Sequence, residues 1–211
     1  GTADAIGTIE PFVEDDFLLI YGDLLISPNV IKQVVRLHEK EKPTVTMAVV
    51  PVRHPENYGI VKLDGSHVTD IFEKPGKEAP TNLANAGIYI FSTEIFQKIR
   101  QTSSSSRGEL EITDSLRLLL NEKQSVLAVQ VPSEGWLDVG RPWDLFEANE
   151  RVLSQTEPLL EGEIEDGAHL IGRVSVARGA RIRSGAYIRG PVFIGENSDI
   201  GPNCYIRPHT S

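Results

Sequence analysis

The chain has 211 residues, enough to bury one sizeable hydrophobic core and a smaller second one. Its 30 acidic residues outnumber its 21 basic residues, for a formal net charge of −9, and without a basic stripe this composition argues against a nucleic-acid partner. No apolar stretch reaches the length of a membrane span and no secretory signal opens the chain, so the sequence predicts a cytoplasmic protein with no membrane partner.

The first two thirds of the chain alternate between strand-like and helix-like patterns. The apolar run 17–21 predicts a buried strand, and Ser27 followed by Pro28 predicts the start of an amphipathic helix. Further strands are predicted at 44–52, 83–92 and 125–132, with helices at 93–101, 109–123 and 141–153. The segment 58–75 predicts a hairpin around Asp64-Gly65. This alternation predicts an α/β sheet with a β-hairpin elaboration.

The last quarter follows a period of six residues. An aliphatic side chain recurs at Ile164, Leu170, Val176, Ile182, Ile188, Ile194, Ile200 and Ile206. Four residues after each comes a small or β-branched side chain: Ala168, Val174, Ala180, Ala186, Val192, Ser198, Cys204 and Thr210. Two inward positions per hexad predict a solenoid of short strands, in which Cys204, the single cysteine, is a packing residue.

Three aromatic residues occupy the outward sixth place of a hexad: Tyr187, Phe193 and Tyr205. If they line up along one side of the solenoid, they form an apolar stripe of the kind found at subunit interfaces. The sequence therefore predicts self-association, with a trimer as the expected form. The alternative is that the stripe covers the junction between the last helix and the solenoid within one chain.

Two aspartates follow short apolar segments and precede helices. Asp23 comes after Gly22 at the end of the first predicted strand, and Asp138 comes after Trp136 and Leu137. In open α/β sheets, ligands bind beyond the carboxyl ends of the strands, and paired carboxylates suit Mg²⁺ with phosphate oxygens as its other ligands. A single aspartate at such a place is also an ordinary turn former or helix cap. The pair predicts a magnesium site that holds a phosphate-bearing substrate.

Seven segments in order resemble the motifs of sugar-1-phosphate nucleotidylyltransferases: "GTADAI", "YGD", "YGIV", "EKPG", "NAGIYIF", "RGELEITDSL" and "WLDVGRPWDL". The hexads resemble the C-terminal left-handed parallel β-helix of archaeal bifunctional members. These members join a domain like that of glucose-1-phosphate thymidylyltransferase or N-acetylglucosamine-1-phosphate uridylyltransferase to such a helix. The resemblance implies a Rossmann-like nucleotide-diphospho-sugar transferase domain with a mixed sheet at 1–155 and a short left-handed β-helix at 159–211. The family's glycine-rich phosphate loop is expected before Gly1, and further coils are expected after Ser211.

On the nucleotide side, the resemblance implies that Gly1 and Thr2 lie beside the base and that Asp23 and Asp138 hold Mg²⁺. The residues at the start of the first predicted helix also fit a purely structural role, with Thr2 as its N-cap.

On the sugar side, the resemblance implies contacts from Gly59, Glu73, Lys74, Asn85, Arg107 and Glu109. The amide of Gly59, the carboxylate of Glu73 and the side chain of Asn85 would bind the sugar, and Lys74 would bind its phosphate. From the residues alone, Gly59 could equally start a strand, and Glu73 with Lys74 could be a solvated surface pair.

The resemblance implies an enzyme that joins dTTP or UTP to a sugar 1-phosphate, releasing pyrophosphate. Because the phosphate loop is expected upstream, the 211 residues alone are predicted to be inactive. A non-catalytic scaffold of the same fold, which binds nucleotide-sugars and associates through the β-helix, is the alternative. The paired aspartates favour the enzyme, because a scaffold needs no metal site.

Overall fold

The computed structural model describes residues 1–105 and 107–211. It divides into two compact units, Gly1–Asp138 and Val139–Ser211, each with its own hydrophobic core. Within the described ranges, no helix is long and apolar enough to cross a membrane.

The first unit contains the alternating elements that the sequence predicts. Its helices are α1 (Thr2–Gly7), α2 (Pro28–Glu41), α3 (Ile95–Gln101) and α4 (Ile112–Asn121). Its strands are β1 (Phe17–Ile20), β2 (Leu24–Ile26), β3 (Val45–Pro51), β4 (Gly59–Asp64), β5 (His67–Glu73), β6 (Leu83–Phe91), β7 (Val126–Gln130) and β8 (Trp136–Asp138). The predicted helix start is confirmed, because α2 begins at Pro28 with Ser27 as its N-cap.

The strands of the first unit form a mixed sheet in the order β1-β6-β3-β7-β5-β4. The pair β3 and β7 is parallel, whereas β1 and β3 both run antiparallel to β6. β4 and β5 form the predicted hairpin around Asp64-Gly65. The short strands β2 and β8 pair with each other in a separate antiparallel ribbon. The mixed α/β sheet predicted for this part of the chain is therefore confirmed.

Strand β1 is less buried than its sequence predicts. Leu18 and Ile20 remain 44% and 37% exposed, while Phe17 and Leu19 pack against the core. The exposed residues alternate with the packed ones, so one face of β1 is open and the other is covered. An uninterrupted apolar run does not reveal which of its two faces the rest of the protein covers. The predicted strand is confirmed, but the prediction that it is buried holds for only one of its faces.

Strand β6 carries a bulge that shapes the first unit. Tyr89 stands opposite Met47 of β3, but the next regular partner of β3, Val49, stands opposite Asn85. The extra residues on β6 include Gly87, whose φ of +70° lies in the left-handed region that favours glycine. The bulge therefore breaks the regular alternation of side chains between Asn85 and Tyr89.

The second unit begins with helix α5 (Asp144–Gln155) and continues as short parallel strands. These are β9 (Glu163–Ile164), β10 (His169–Ile171), β11 (Val174–Val176), β12 (Arg181–Ile182), β13 (Tyr187–Arg189), β14 (Val192–Ile194), β15 (Asp199–Ile200) and β16 (Tyr205–Ile206). They form three parallel sheets, β10-β13-β16, β11-β14 and β9-β12-β15. Arg181 pairs with Asp199, eighteen positions further on, so each sheet takes every third hexad.

The hexad positions supply the core of the second unit. The fully buried members come from the central hexads: Val174, Val176, Ala180, Ile182, Ala186, Ile188, Val192 and Ile194. Outer members such as Leu170, Ile200 and Cys204 are only partly buried. The two inward positions predicted for each hexad are thus most completely buried in the central hexads.

The three outward aromatics do not form a single stripe. Tyr187 and Tyr205 are register partners in one sheet, with ring centroids 5.7 Å apart, and His169 stands on the other side of Tyr187. Phe193 lies in the β11-β14 sheet, where it pairs with Ser175. Because successive hexads belong to different sheets, residues six positions apart face different sides, and the predicted alignment of Phe193 with the two tyrosines is wrong.

Candidate functional site

A polar cleft of about 320 Å³ opens in the first unit. Nine of the ten residues predicted for the site line it: Thr2, Asp23, Gly59, Glu73, Lys74, Asn85, Arg107, Glu109 and Asp138. Gly1 is not among the described lining residues. A Cβ atom on Gly1 would stand 2.3 Å from the carbonyl oxygen of Leu110, so tight packing against that backbone requires glycine here.

The pairing of β2 with β8 brings the two predicted metal ligands to one place. Leu24 stands opposite Asp138, and Asp23 immediately precedes Leu24. Both aspartates line the cleft. Among the described residues, no group of three or more histidine, cysteine, aspartate or glutamate side chains could hold a metal ion. Two hard oxygen donors beside an open cleft fit Mg²⁺ if a ligand and water supply its remaining oxygens.

A hydrogen-bonded network forms one wall of the cleft. The guanidinium of Arg107 donates to the carboxylate of Glu111 at 2.6 Å and to that of Glu73 at 3.3 Å. The hydroxyl of Thr113 donates to the other oxygen of Glu73 at 3.1 Å. Glu111 is only 4% exposed. Glu73 is therefore held on both oxygens, and Arg107 is shared between two acids.

Burial raises the pKa of the Glu73 carboxyl. The hydrogen bond from Thr113 opposes this pKa rise, while the negative charge of Glu111 adds to it. The positive charge of Arg107 also opposes the pKa rise of Glu73, and the pKa of Arg107 itself is raised chiefly by its hydrogen bond to Glu111. The carboxylate of Glu73 is thus partly desolvated, which strengthens its interaction with a bound hydroxyl group.

Thr2 has a different structural role from the one that the sequence predicts. Gly1, not Thr2, is the N-cap of α1, and among the described side chains none caps that helix by a hydrogen bond. Instead, the Thr2 hydroxyl accepts the backbone N–H of Ile112 at 2.9 Å, at the start of α4, and approaches Glu111 at 3.5 Å. The N-cap prediction is wrong, because the hydroxyl satisfies an unpaired donor of a distant helix rather than of its own.

The β6 bulge orients three lining residues. The Gly87 N–H donates to Oδ1 of Asn85 at 3.2 Å, and the Gly87 carbonyl accepts from the Tyr21 N–H at 3.0 Å. The indole N–H of Trp136 donates to the Ala86 carbonyl at 2.8 Å. Backbone groups that a regular ladder would have paired are satisfied by these cleft residues. The bulge thereby fixes the floor of the cleft.

The cleft carries an excess of negative charge. Among the described lining residues are two cations, Lys74 and Arg107, and five carboxylates: Asp23, Glu73, Glu109, Glu111 and Asp138. Arg107 is already paired with two of these acids. A polyphosphate would meet a net repulsive field here, so its binding requires additional cations.

Several lining residues are not among those predicted from the sequence: Tyr21, Glu111, Thr113 and Trp136. Glu111 and Thr113 lie within the motif "RGELEITDSL", so the motif itself was the available signal. Tyr21 is likewise part of a motif, as the first residue of "YGD". The contacts that give these residues their roles join distant parts of the chain, and no local pattern predicts those contacts.

Comparison with known proteins agrees with this geometry. The family described as "Nucleotidyl transferase" matches residues 1–155. The "Bifunctional protein GlmU" of Methanocaldococcus jannaschii is 41% identical over 211 residues, covering 100% of this chain and 49% of the relative. The "Glucose-1-phosphate thymidylyltransferase" of Streptomyces griseus is 34% identical over 172 residues, covering 81% of this chain and 48% of the relative.

The chain is also similar to solved structures of related enzymes. The crystal structure of a UDP-glucose pyrophosphorylase complexed with UDP-glucose matches with a TM-score of 0.66 at 30% identity, covering 74% of this chain and 63% of that one. The chain spans about half the length of the curated relatives it matches. The family match extends over most of the chain, and the first unit has the mixed-sheet fold of these enzymes. The chain therefore belongs to the nucleotidyl transferase family and is related to its sugar-1-phosphate nucleotidylyltransferases.

Proposed function

We propose that the protein of which this sequence forms part transfers a nucleotidyl group from UTP or dTTP to a sugar 1-phosphate, giving a nucleotide-sugar and pyrophosphate. The observation that carries the proposal is the meeting of Asp23 and Asp138 in one cleft with Glu73, Lys74 and Arg107. This reaction needs acids that bind a metal ion, cations that bind a phosphate and a carboxylate that binds the hydroxyl groups of the sugar. The names of the relatives support the same substrates.

In the proposed reaction, an oxygen of the sugar phosphate attacks the α-phosphorus of the triphosphate. The new P–O bond forms as the bond from that phosphorus to the pyrophosphate oxygen breaks, and the electron pair leaves with pyrophosphate. Lys74 and Arg107 hold the attacking phosphate, while Glu73, Gly59 and Asn85 hold the sugar. The protein's main contribution is to align two anions that repel each other.

Asp23 and Asp138 would hold Mg²⁺, and Thr2 and Gly1 would lie toward the nucleoside. The bound ion would neutralise charge on the phosphate oxygens. The excess of carboxylates in the cleft supports this proposal, because two cationic side chains cannot balance five acids and two phosphate-bearing substrates. We also propose that the 211 residues alone do not turn over, because Lys74 and Arg107 offer a triphosphate too few phosphate contacts even when Mg²⁺ is bound.

A pyrophosphate-release assay with UTP or dTTP and glucose 1-phosphate tests the proposal. The full-length protein should release pyrophosphate only when Mg²⁺ and both substrates are present. Binding of nucleotide-sugar without turnover by that protein would contradict the proposal and favour a scaffold of the same fold. Sustained turnover by the 211-residue chain would contradict only the inactivity proposed for it.

For the second unit, we propose that residues 159–211 form a left-handed parallel β-helix of hexapeptide repeats that assembles as a trimer, with the nucleotidylyltransferase domain at 1–155. The parallel pairing of every third hexad supports the β-helix. The exposed ladder of Tyr187 and Tyr205 supports an interface. Light scattering should give three copies for the 211-residue chain and fewer for a version ending before Ile164. A monomer at every concentration of the longer chain would contradict the trimer.

A further inference from the structure

Beneath the described lining residues of the cleft lies a fully buried tyrosine. Tyr89 lies on β6 below Asn85, and its ring stacks on Phe91 with centroids 4.9 Å apart. Its hydroxyl accepts a hydrogen bond from Nδ2 of Asn85 and lies 3.4 Å from the hydroxyl of Tyr21. Packing explains the ring, but an apolar core position does not need the hydroxyl.

The backbone determines which way the Asn85 amide faces. The Gly87 N–H can only donate, so the atom of Asn85 that it contacts at 3.2 Å is the carbonyl oxygen. Nδ2 therefore faces Tyr89, whose oxygen accepts one of its two hydrogens. The proton of Tyr89 is then available for the oxygen of Tyr21. The second hydrogen of Nδ2 remains for another acceptor, and Asn85 lines the cleft.

We propose that Tyr89 is a positioning residue that locks the Asn85 amide so that it presents an N–H donor to an oxygen of the bound sugar 1-phosphate. The inference rests on the proposed function, because that function supplies the ligand. Without the Tyr89 hydroxyl, the contact with Gly87 is the one that the Asn85 amide keeps among its described hydrogen bonds. A locked donor costs less conformational entropy on binding than a free one, so the lock tightens binding without itself touching the sugar.

The surroundings of Tyr89 keep its hydroxyl protonated and neutral, as the proposed role requires. Burial raises the pKa of Tyr89 well above its ordinary value of 10.0, and the neighbouring Tyr21 acts in the same direction. Burial also raises the pKa of Tyr21. Both phenols are therefore neutral at physiological pH, and each can accept one hydrogen bond while donating another.

The decisive experiment is a double-mutant cycle on the 211-residue chain, with glucose 1-phosphate as the titrated probe. Tyr89→Phe keeps the stacked ring and removes only the hydroxyl. It should raise the Kd about fivefold to tenfold in the wild-type background and less than about twofold in the Asn85→Ala background. Tyr205→Phe, which removes an exposed phenol from the second unit, is the matched control and should leave the Kd unchanged.

A second measurement follows the hydrogen bond without any ligand. In NMR spectra, hydrogen exchange of the Asn85 side-chain amide should be slow in the wild type and at least about tenfold faster in Tyr89→Phe. Tyr21→Phe leaves the Tyr89 oxygen in place, so the Asn85 amide should stay protected in that variant.

Unchanged exchange in Tyr89→Phe, or the same change of Kd in both backgrounds, would overturn the positioning role alone. A wild-type affinity in Asn85→Ala, or no binding of glucose 1-phosphate by the wild-type chain, would overturn the proposed sugar site. The positioning role would then fail with it.

Discussion

The two units of this protein place their polar groups in opposite ways. The second unit, Val139–Ser211, contains the hexads and is called the repeat unit below. Its core consists of valine, isoleucine and alanine. Its ion pairs lie outside, as in the two contacts of 2.7 and 2.6 Å between Arg183 and Asp199. In the first unit, Glu111 and Tyr89 are buried in the wall and floor of the cleft and bonded to other polar side chains. Burying such groups is costly unless each is paired.

This difference separates the features that maintain the fold from those that perform chemistry. The repeat unit buries similar aliphatic and small side chains at inward positions that recur every six residues, so we expect its exposed charges to contribute little to stability. The cleft depends on irregular features, such as the β6 bulge and the ribbon of β2 with β8, which bring distant side chains together. Substitutions in the two units should therefore differ in kind, affecting binding in one unit and only stability in the other.

The largest expected effect is on turnover when either cleft aspartate loses its charge. In the full-length protein, Asp23→Asn or Asp138→Asn should lower Mg²⁺-dependent turnover by at least about a hundredfold, because a metal ion contributes several kcal/mol to such a reaction. Circular dichroism should show an unchanged fold. Asp199→Asn, which removes an acid from the repeat unit, is the matched control and should keep full activity. Wild-type turnover in either cleft variant would exclude that aspartate as a metal ligand.

The next effect concerns Glu73, whose charge should help binding and cost stability. Glu73→Gln should raise the Kd for glucose 1-phosphate about tenfold to a hundredfold, because hydrogen bonds to a charged acceptor are the stronger ones. The raised pKa of Glu73 means that its proton binds more tightly in the folded state than in the unfolded state. The ionised form therefore destabilises the fold above the ordinary pKa of 4.5, and this cost disappears as the pH falls below that value.

Thermal unfolding at pH 7 and at pH 4 separates the two contributions of Glu73. At pH 7 the glutamine variant should unfold at the same temperature as the wild type or up to about 2 °C higher, and at pH 4 the two should converge. Binding by the wild type should weaken as the pH falls through the raised pKa, whereas binding by the variant should not depend on this titration. A variant that is clearly less stable at pH 7 would show that the contacts of Glu73 outweigh its burial.

Spacing alone predicted the inward positions of the repeat unit, whereas most of the cleft residues were predicted only from the family resemblance. The hexads identified the inward positions, such as Ile182 and Ala186, because a periodic pattern depends only on spacing. In the first unit, the hairpin at Asp64-Gly65 and the start of α2 were predicted for a similar local reason. The contact of Thr2 with Ile112 joins segments about 110 positions apart, and no spacing rule covers it. The outward aromatics were misplaced for a related reason, since the period of six does not say how many sheets the hexads form.

Two glycines with left-handed backbones provide a matched pair across the units. Gly87, at the β6 bulge, has φ +70°, and an added Cβ would stand 2.6 Å from the ring of Tyr21. Gly185, in a turn of the repeats, has φ +78°, and an added Cβ would meet the side-chain amide oxygen of Asn203, which can move away. Alanine at either position should cost about 1–2 kcal/mol from the backbone conformation alone. Gly87→Ala should lower the free energy of unfolding more than Gly185→Ala does, because the packed ring of Tyr21 has to shift.

Binding distinguishes these two variants more sharply than stability does. Gly87→Ala should weaken glucose 1-phosphate binding about tenfold, because the shift of the bulge moves Asn85 by enough to lose about one hydrogen bond. Gly185→Ala should bind like the wild type while unfolding at a lower denaturant concentration. Equal binding by the two variants would show that the bulge does not control the position of Asn85.

The smallest effect is expected at the surface of the repeat unit. The hydrogen bond from Arg183, with a smaller contribution from its charge, lowers the pKa of Asp199, so this pair stabilises the fold above the ordinary pKa of aspartate, 3.8, and loses that contribution as the pH falls through the lowered value. Both groups are exposed, so solvent and salt screen the pair despite its short contacts. Asp199→Asn should therefore shift the denaturation midpoint at pH 7 barely measurably in low salt and not at all in 1 M NaCl. A clear loss of stability that persists in high salt would mean that this ion pair holds neighbouring strands in register, and that the exposed charges of the repeat unit contribute more to stability than we expect.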